Sequence, residues 1–460
     1  MARKSSVRIS VLLVLSATAV LGLALVVIIP PWQSPDEPTH FEYVYVLSRG
    51  DPPWAPRPDP GLQGRIIVSL DRHGYWGYVG VDRPAVLPGT FREAPFLSAA
   101  PTQVGKNPPL YYFLASLVLR ISPGRSLEAA LYRLRLFSLF FSLLTVILVA
   151  SCATEVFGRS SPLVPAAAAA AFLPQFLVIG TSVSPDPAIN FIGAGVIYLT
   201  IRFQKRGFTV PRVAALLLCL LLGLLVNYKA LVLLAALPGV AAIRFLFHRG
   251  DALSPGRLAV RTASILLALL AGYSALVWYF PGVARVFIVR LNILCAVFAD
   301  YLRGRTDFPP GYWPWFHSEL FKSFWLKYGW LKFELPGAAY PALKAASAVS
   351  LLGVVIFLVK SAAGRGRDRP GRPEAVVTLL WLAGAALGAY YAFWGLKGAS
   401  TTTQGRHLFV VLPAWAILFV LGWSSLFPAR RVRLVGYGLA GAFFLLAVAS
   451  ILFSILPAFS

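Results

Sequence analysis

Apolar residues run through this chain in blocks of about twenty, broken by short basic or proline-rich stretches. The first block covers residues 7–29, behind a basic start of Arg3, Lys4 and Arg8. Further blocks cover 132–154, 162–181, 187–203, 211–226, 229–246, 259–280, 341–359, 374–394, 407–427 and 434–456. A hydrocarbon core about 30 Å thick takes about 20 helical residues to cross, so the pattern predicts about eleven transmembrane helices. The first block ends in Ile-Ile-Pro-Pro and lacks a small-residue cleavage pattern, so it reads as an uncleaved helix. The run at 108–121, PPLYYFLASLVLRI, has only 14 residues. That length suits an interfacial helix better than a span.

Basic residues decide how such helices thread the membrane. With 108–121 kept on the surface, six segments fall on one side. They carry Arg3/Lys4/Arg8, Arg159, Arg202/Lys205/Arg206/Arg212, Arg244/Arg249/Arg257/Arg261, Lys360/Arg365/Arg367/Arg369/Arg372 and Arg430/Arg431/Arg433. These hold 20 basic residues against four acids, Glu155, Asp251, Asp368 and Glu374. Letting 108–121 cross would reverse the bias. The N-terminus therefore reads as cytoplasmic, and two long polar segments, 31–131 and 281–340, lie outside. The first balances nine acids with nine bases, as a folded loop would. The second is rich in Trp, Tyr, Phe and Pro.

Composition agrees and removes other classes. Hydrophobic residues are 58% of the chain and charged ones 13%, against about 25% in an average globular protein. The mean hydropathy is +0.71. A soluble enzyme, a nucleic-acid binder or a disordered tail is not built this way. The net charge of +24 is accounted for by membrane orientation, with no need for nucleic acid. Cys152, Cys219 and Cys295 are odd in number and form no CxxC pair, so neither a disulfide framework nor a thiolate metal site is indicated.

The strongest constellation is PPWQSPDEPTHFEY, residues 30–43, where the first helix leaves the membrane. Asp36, Glu37 and His40 fall within one turn of each other, and prolines at 30, 31, 35 and 38 stiffen the backbone. Carboxylates at a membrane surface are exposed, paired or functional. The group is either a polar cap that solvates a loop or a general base, Asp36, tuned by Glu37, His40 and bound substrate. Asp186, in GTSVSPDPAINF, is the only charged residue between Arg159 and Arg202. It reads either as an N-cap ahead of Pro187 or as a second site acid. Gln404, Arg406 and His407 follow a run of hydroxyls in TTTQGRHLFV. An arginine there either holds a phosphate bidentately or snorkels into headgroups. Lys229 and Lys106 are further cationic candidates. The aromatic stretch at 312–336 reads as an interfacial belt helix or a stacking surface. His73, His248 and His317 have no metal-ligand spacing.

Four segments together resemble the GT-C superfamily of integral-membrane glycosyltransferases: SPDEPTHF (34–41), KNPPLYYFLASL (106–117), VSPDPAINF (183–191) and QGRHLFVVLPA (404–414). Within it the chain looks most like a bacterial branch with a PDExxHF-type motif, and SFWLKYGWLKFELP (323–336) looks like that branch's aromatic segment. In plan it is similar to protein mannosyltransferases and aminoarabinose transferases. The resemblance implies an all-α polytopic bundle with a large extracytoplasmic first loop carrying interfacial helices. It divides the chain into a catalytic module (1–280), an outer aromatic-rich loop (281–340) and C-terminal transmembrane helices (341–460). It implies a polyprenyl-phosphate sugar donor and a site on the outer face of the cell membrane of a prokaryote. The acceptor is a glycan, lipid or protein.

By the same resemblance Asp36 is the base, with Glu37 beside it and Asp186 as second acid. Arg406, and less directly Lys229 and Lys106, hold the lipid phosphate, while His40, Gln404 and His407 contact substrate. His407 stands where an aromatic residue is expected. No cofactor is required, though Asp36, Glu37 and Asp186 leave room for a divalent metal. The expected reaction is inverting sugar transfer. A flippase of lipid-linked sugars is the alternative, and it predicts ionisable groups near the midplane and broken helices in matching halves. A scaffold without catalysis makes no demand that Asp36, Asp186 and Arg406 converge.

Overall fold

The structure is a computed structural model that describes residues 2–99, 101–122, 126–207, 209–236, 281–306, 308–364, 371–396 and 403–459, with positions 238, 239, 243, 274 and 278. It is all-α, as expected. The strands among the described residues are a two-residue antiparallel pair, β1 (Lys327–Tyr328) and β2 (Phe333–Glu334), in register Lys327 to Glu334.

Among the described residues, six helices are long and apolar enough to cross a membrane, and a seventh span forms if one bent pair counts as one. The first is α1 (Ala2–Ile28). After the first polar segment come α6 (Leu127–Phe157) and the bent pair. That pair is α7 (Leu163–Ala168), extended to Phe172 as a 3-10 turn, and α8 (Pro174–Gly180), at 62°. Pro174 breaks it, since its ring excludes the next helical hydrogen bond. The rest of the bundle is α9 (Asp186–Arg206), α10 (Val210–Val226), α11 (Pro281–Leu302), α12 (Tyr312–Trp325), α13 (Ala339–Ala362), α14 (Pro373–Tyr390), α15 (Leu412–Ser425) and α16 (Val432–Ser450). The most extensive helix contacts join α6 to α9 and α13 to α15.

Eleven full spans are therefore not what the described residues show. The block at 187–203 is a 21-residue helix diluted by Asp186 and Asn190 at one end and basic residues at the other. The block at 211–226 is 17 residues long, and that at 229–246 is an eight-residue 3-10 helix, Tyr228–Ala235, before the described chain stops. The block at 259–280 lies outside the described residues. The segment 281–340 differs from a plain loop, because it opens on α11, 22 residues long.

The first polar segment folds into α2 (Glu37–Ser48), α3 (Pro60–Arg72), α4 (Tyr75–Val79) and α5 (Leu110–Ile121). Asp59 caps α3 by accepting from the Leu62 amide at 3.0 Å, with Pro60 at the first helical position. Ser126 caps α6 in the same way at 3.1 Å. The 12-residue α5 is about 18 Å long, too short for a hydrocarbon core, and it packs on α2. The buried Glu42 carboxylate ties the segment together by accepting from Gln63 Nε2 (2.7 Å), the Asp59 amide (3.1 Å) and Thr102 Oγ1 (3.1 Å). Burial raises its pKa, and these three donors oppose that shift.

Candidate active site

Four chain reversals meet at one end of the bundle: the exit of α1, the α8–α9 turn, the exit of α10 and the entry to α15. Each delivers one charged side chain. Arg406 lies between two carboxylates, its Nη2 3.5 Å from Asp36 Oδ2 and its Nε 3.7 Å from Asp186 Oδ2. Lys229 Nζ meets Asp186 Oδ1 at 2.5 Å. Arg406, Asp186 and Lys229 are all at least nine-tenths buried, while the Asp36 side chain keeps 35% of its surface. The two acids and two bases sum to zero charge.

Local sequence explains each placement. Asp36 stands at the head of α2, but its φ of 58° puts it in the left-handed region and its side chain caps nothing. Asp tolerates that conformation better than most residues, at a cost of about 1–3 kcal/mol. The carboxylate is thereby left available. Asp186 is the first residue of α9 rather than its N-cap, and its carboxylate goes to Lys229. Lys229 follows a turn closed by Asn227, whose Oδ1 accepts from the Lys229 amide at 3.0 Å. Arg406 is fixed through Gly405. The Gly405 amide donates to Ser323 Oγ at 2.8 Å, and a Cβ there would collide with the Phe324 backbone. The Gln404 amide donates to the Tyr390 hydroxyl at 2.7 Å. His407 stacks on Trp394, centroids 5.9 Å apart and planes within 3°, so it does an aromatic residue's packing. α12, read from sequence as a belt helix or a stacking surface, turns one face inward, with Phe316 fully buried against Tyr390 and Tyr391, and leaves Trp315 exposed on the other.

Glu37 has a different set of partners from the one expected. It is fully buried, and its carboxylate takes Arg135 bidentately, Nε to Oε1 at 3.0 Å and Nη2 to Oε2 at 2.7 Å. It also accepts from the amides of Trp32 (3.1 Å) and Val183 (3.2 Å). Arg135 in turn binds the carbonyls of Val26, Ile29 and Pro30, the unsatisfied end of α1. One ion pair thus ties the loop carrying Asp36 to the loop carrying Asp186. Arg135 was missed as a site residue. Its available signal was a second arginine, two residues after Arg133, inside the apolar pattern LYRLRLFSLFF.

His40 is buried beneath the same charges. Its Nδ1 lies 2.8 Å from the Tyr112 hydroxyl, which also accepts from Asn107 Nδ2 at 3.2 Å. Burial holds the Tyr112 phenol protonated, so the hydroxyl and the imidazole share one hydrogen bond at this contact. Burial lowers the His40 pKa to about 4, the largest effect, with Arg406 and Lys229 adding to it and Asp36 and Asp186 opposing. Between its ordinary 6.5 and about 4, the unfolded chain binds a proton there that the folded chain does not. Stability therefore rises with pH across that window and is lost as pH falls, by on the order of 3 kcal/mol. The melting midpoint in detergent should drop between pH 7 and 4 and drop less in His40→Gln; parallel curves for the two proteins would refute this.

Lys106 is exposed and forms no ion pair among the described residues. Nor do three His, Cys, Asp or Glu side chains gather as a metal site among them. Of the ligand set weighed from sequence, Asp186 is matched by Lys229 and Arg406, and Glu37 by Arg135.

Fold and site together define a multi-pass helical membrane protein with a buried carboxylate–cation cluster at one end of its bundle. The chain belongs to the family described as Predicted membrane protein (DUF2142), whose model matches residues 19–415. No curated protein matches it in sequence. Among solved structures it is similar to ArnT from Cupriavidus metallidurans bound to undecaprenyl phosphate, with 13% identity and a TM-score of 0.47 over 98% of this chain and 73% of that one. It is similar to the oligosaccharyltransferase AglB from Archaeoglobus fulgidus in complex with an inhibitory peptide and a dolichol-phosphate, with 15% identity and a TM-score of 0.46 over 98% and 55%. It is also similar to the arabinosyltransferase EmbB from Mycobacterium smegmatis, with 14% identity and a TM-score of 0.42 over 89% and 30%. The chain thus spans about half the length of AglB and under a third of EmbB.

Proposed function

We propose that this protein is a membrane glycosyltransferase that moves a sugar from a polyprenyl-phosphate-linked donor to an acceptor hydroxyl, with inversion, at the outer face of the cell membrane. The observation that carries the reading is the state of Arg406 between Asp36 and Asp186. Its contacts at 3.5 and 3.7 Å are longer than charge-assisted hydrogen bonds, so its donors are available to a phosphate. Asp36, partly exposed and capping nothing, is available to a proton.

The step balances. The acceptor O–H gives its proton to the Asp36 carboxylate, and its oxygen forms a bond to the anomeric carbon. The bond from that carbon to the phosphate oxygen breaks, and the electron pair leaves with polyprenyl phosphate. Asp36 goes from −1 to neutral while the phosphate goes from −1 to −2, so the site's total charge is unchanged. Arg406 with Lys229 behind it offsets the charge that develops on the phosphate. Glu37 contributes by holding the two loops, and Asp186 by holding both cations.

The donor's tail has a place to lie. An apolar cavity of about 530 Å³ between α12, α13, α14 and α15 is lined by Phe324, Trp325, Leu351, Leu408, Trp415 and Phe443. Leu408 is two residues from Arg406, so the cavity lies beside the segment that carries this arginine. The outer-face assignment rests on the side that carries fewer basic residues. A flippase calls for charges deep in the spans, whereas this cluster lies where helices begin and end. A scaffold does not account for four remote side chains meeting.

The test is a transfer assay in nanodiscs with a panel of polyprenyl-phosphate sugars and crude envelope acceptors. Parent protein should release free polyprenyl phosphate from at least one donor, and Arg406→Gln should release about 10²–10³-fold less, as expected for a lost oxyanion donor. Saturable lipid binding with no release from any donor would move the protein to the flippase class.

A further inference from the structure

The site's charged groups are matched to one another, but several neutral polar atoms beside them are not. Gln33 is 1% exposed and lies three residues before Asp36. Neither its amide nitrogen nor its amide oxygen has a hydrogen-bond partner. The Tyr75 hydroxyl, on a fully buried side chain, has none either. Burial pushes that phenol's pKa up, and the nearby Asp36 charge pushes it further. Gln404, two residues before Arg406 and 9% exposed, leaves its Oε1 unmet. The Trp330 indole nitrogen is also buried and unmet, and its ring stands edge-on to Tyr75 with centroids 5.7 Å apart. A tight turn presents that ring, with φ of 57° at Trp330 and 67° at Leu331.

Native interiors leave few buried polar atoms without a partner, because each forfeits its bonds to water. Here Gln33 and Gln404 lie within three residues of Asp36 and Arg406, the Asp36 charge acts on the Tyr75 phenol, and the Trp330 ring touches Tyr75. Besides Arg406 Nε and the Thr403 hydroxyl, which are also unmet, these groups are two carboxamides, a phenol and an indole N–H, all uncharged. A carboxamide can donate to one hydroxyl and accept from its neighbour. That is what a vicinal diol offers.

We propose that Gln33, Tyr75, Trp330 and Gln404 form the recognition shell for the transferred sugar, and that this sugar is uncharged, neither a uronic acid nor an amino sugar. The inference rests on the glycosyltransferase reading above. A uronate would face Asp36 and Asp186 with Lys229 held by Asp186 and Arg406 taken by the donor phosphate. An ammonium would compete for Asp36, which has to remain a base.

The experiment compares polyprenyl-phosphate donors carrying a neutral hexose, its 6-carboxylate and its 2-amino form, with monodeoxy analogues of the preferred donor. The parent should prefer the neutral donor about 10-fold or more in kcat/KM. Tyr75→Phe, which removes one oxygen, and Gln404→Met should each lower kcat/KM for that donor about 10-fold. The matching deoxy analogue should lose activity in the parent and lose no more in the variant. A misfolded variant would lose activity on every donor alike, so the deoxy comparison isolates recognition. Preference for a charged sugar, or variants that treat hydroxyl and deoxy donors as the parent does, would overturn the inference alone. Release from no donor would overturn the glycosyltransferase reading and this inference with it.

Discussion

Asp36→Asn lowers sugar transfer by about 10²–10⁴-fold, the usual contribution of a positioned general base. The loss falls in kcat. Asn keeps the shape and the tolerance for left-handed backbone that position 36 requires at φ 58°. The backbone bonds persist too, since the Asp36 carbonyl still accepts from the His40 amide at 3.0 Å and from Thr39 Oγ1 at 2.9 Å. The side chain's charged partner among the described residues is Arg406 at 3.5 Å, and it is partly exposed, so its Coulomb contribution to folding is small. Removing that charge leaves Arg406 freer to hold the donor phosphate, so KM should stay level or fall. Rates of polyprenyl phosphate release and a melting curve on the same preparation check both halves. Parental turnover in a folded Asp36→Asn protein would remove the proposed base, and a rise in KM alone would make Asp36 a binding group.

Arg135→Met destabilises the protein by about 3–5 kcal/mol, the usual result of leaving one member of a buried ion pair without its partner. Glu37 then has no counter-ion at zero exposure, and the carbonyls of Val26, Ile29 and Pro30 lose their donor. Glu37→Gln should cost less, because the amide oxygen still accepts from Arg135 or a backbone amide. The double variant Glu37→Gln, Arg135→Met should recover part of the loss, since no buried charge remains. Thermal unfolding in detergent measures all three. A Glu37→Gln protein with parental stability and no turnover would return Glu37 to the chemistry and refute the clamp.

The apolar blocks at 7–29 and 132–154, and the shortness of 108–121, could be read directly because the bilayer sets a fixed length for any helix that crosses it. The site's four charged positions were legible for a related reason. A charge beside an apolar block stands out when the rest of the block has none, as Asp186 does between Arg159 and Arg202. Spacing along the chain was silent on which groups would face each other. Glu37 and Asp36 are neighbours in sequence, yet one is closed in by Arg135, 98 positions away, and the other is left toward Arg406. Lys106 and Lys229 looked like similar candidates, and the fold buries only Lys229 against a carboxylate. Gln404 stood among the candidates in TTTQGRHLFV, but the unmatched Gln33 and Tyr75 had no signature in the sequence at all. Whether a buried amide or hydroxyl finds a partner depends on which distant backbone the packing brings to it. The sequence alone therefore determined the membrane class and the ionisable residues available for chemistry. Tertiary packing decided which carboxylate is a clamp and which is free, because desolvation and ion pairing act through space and not along the chain.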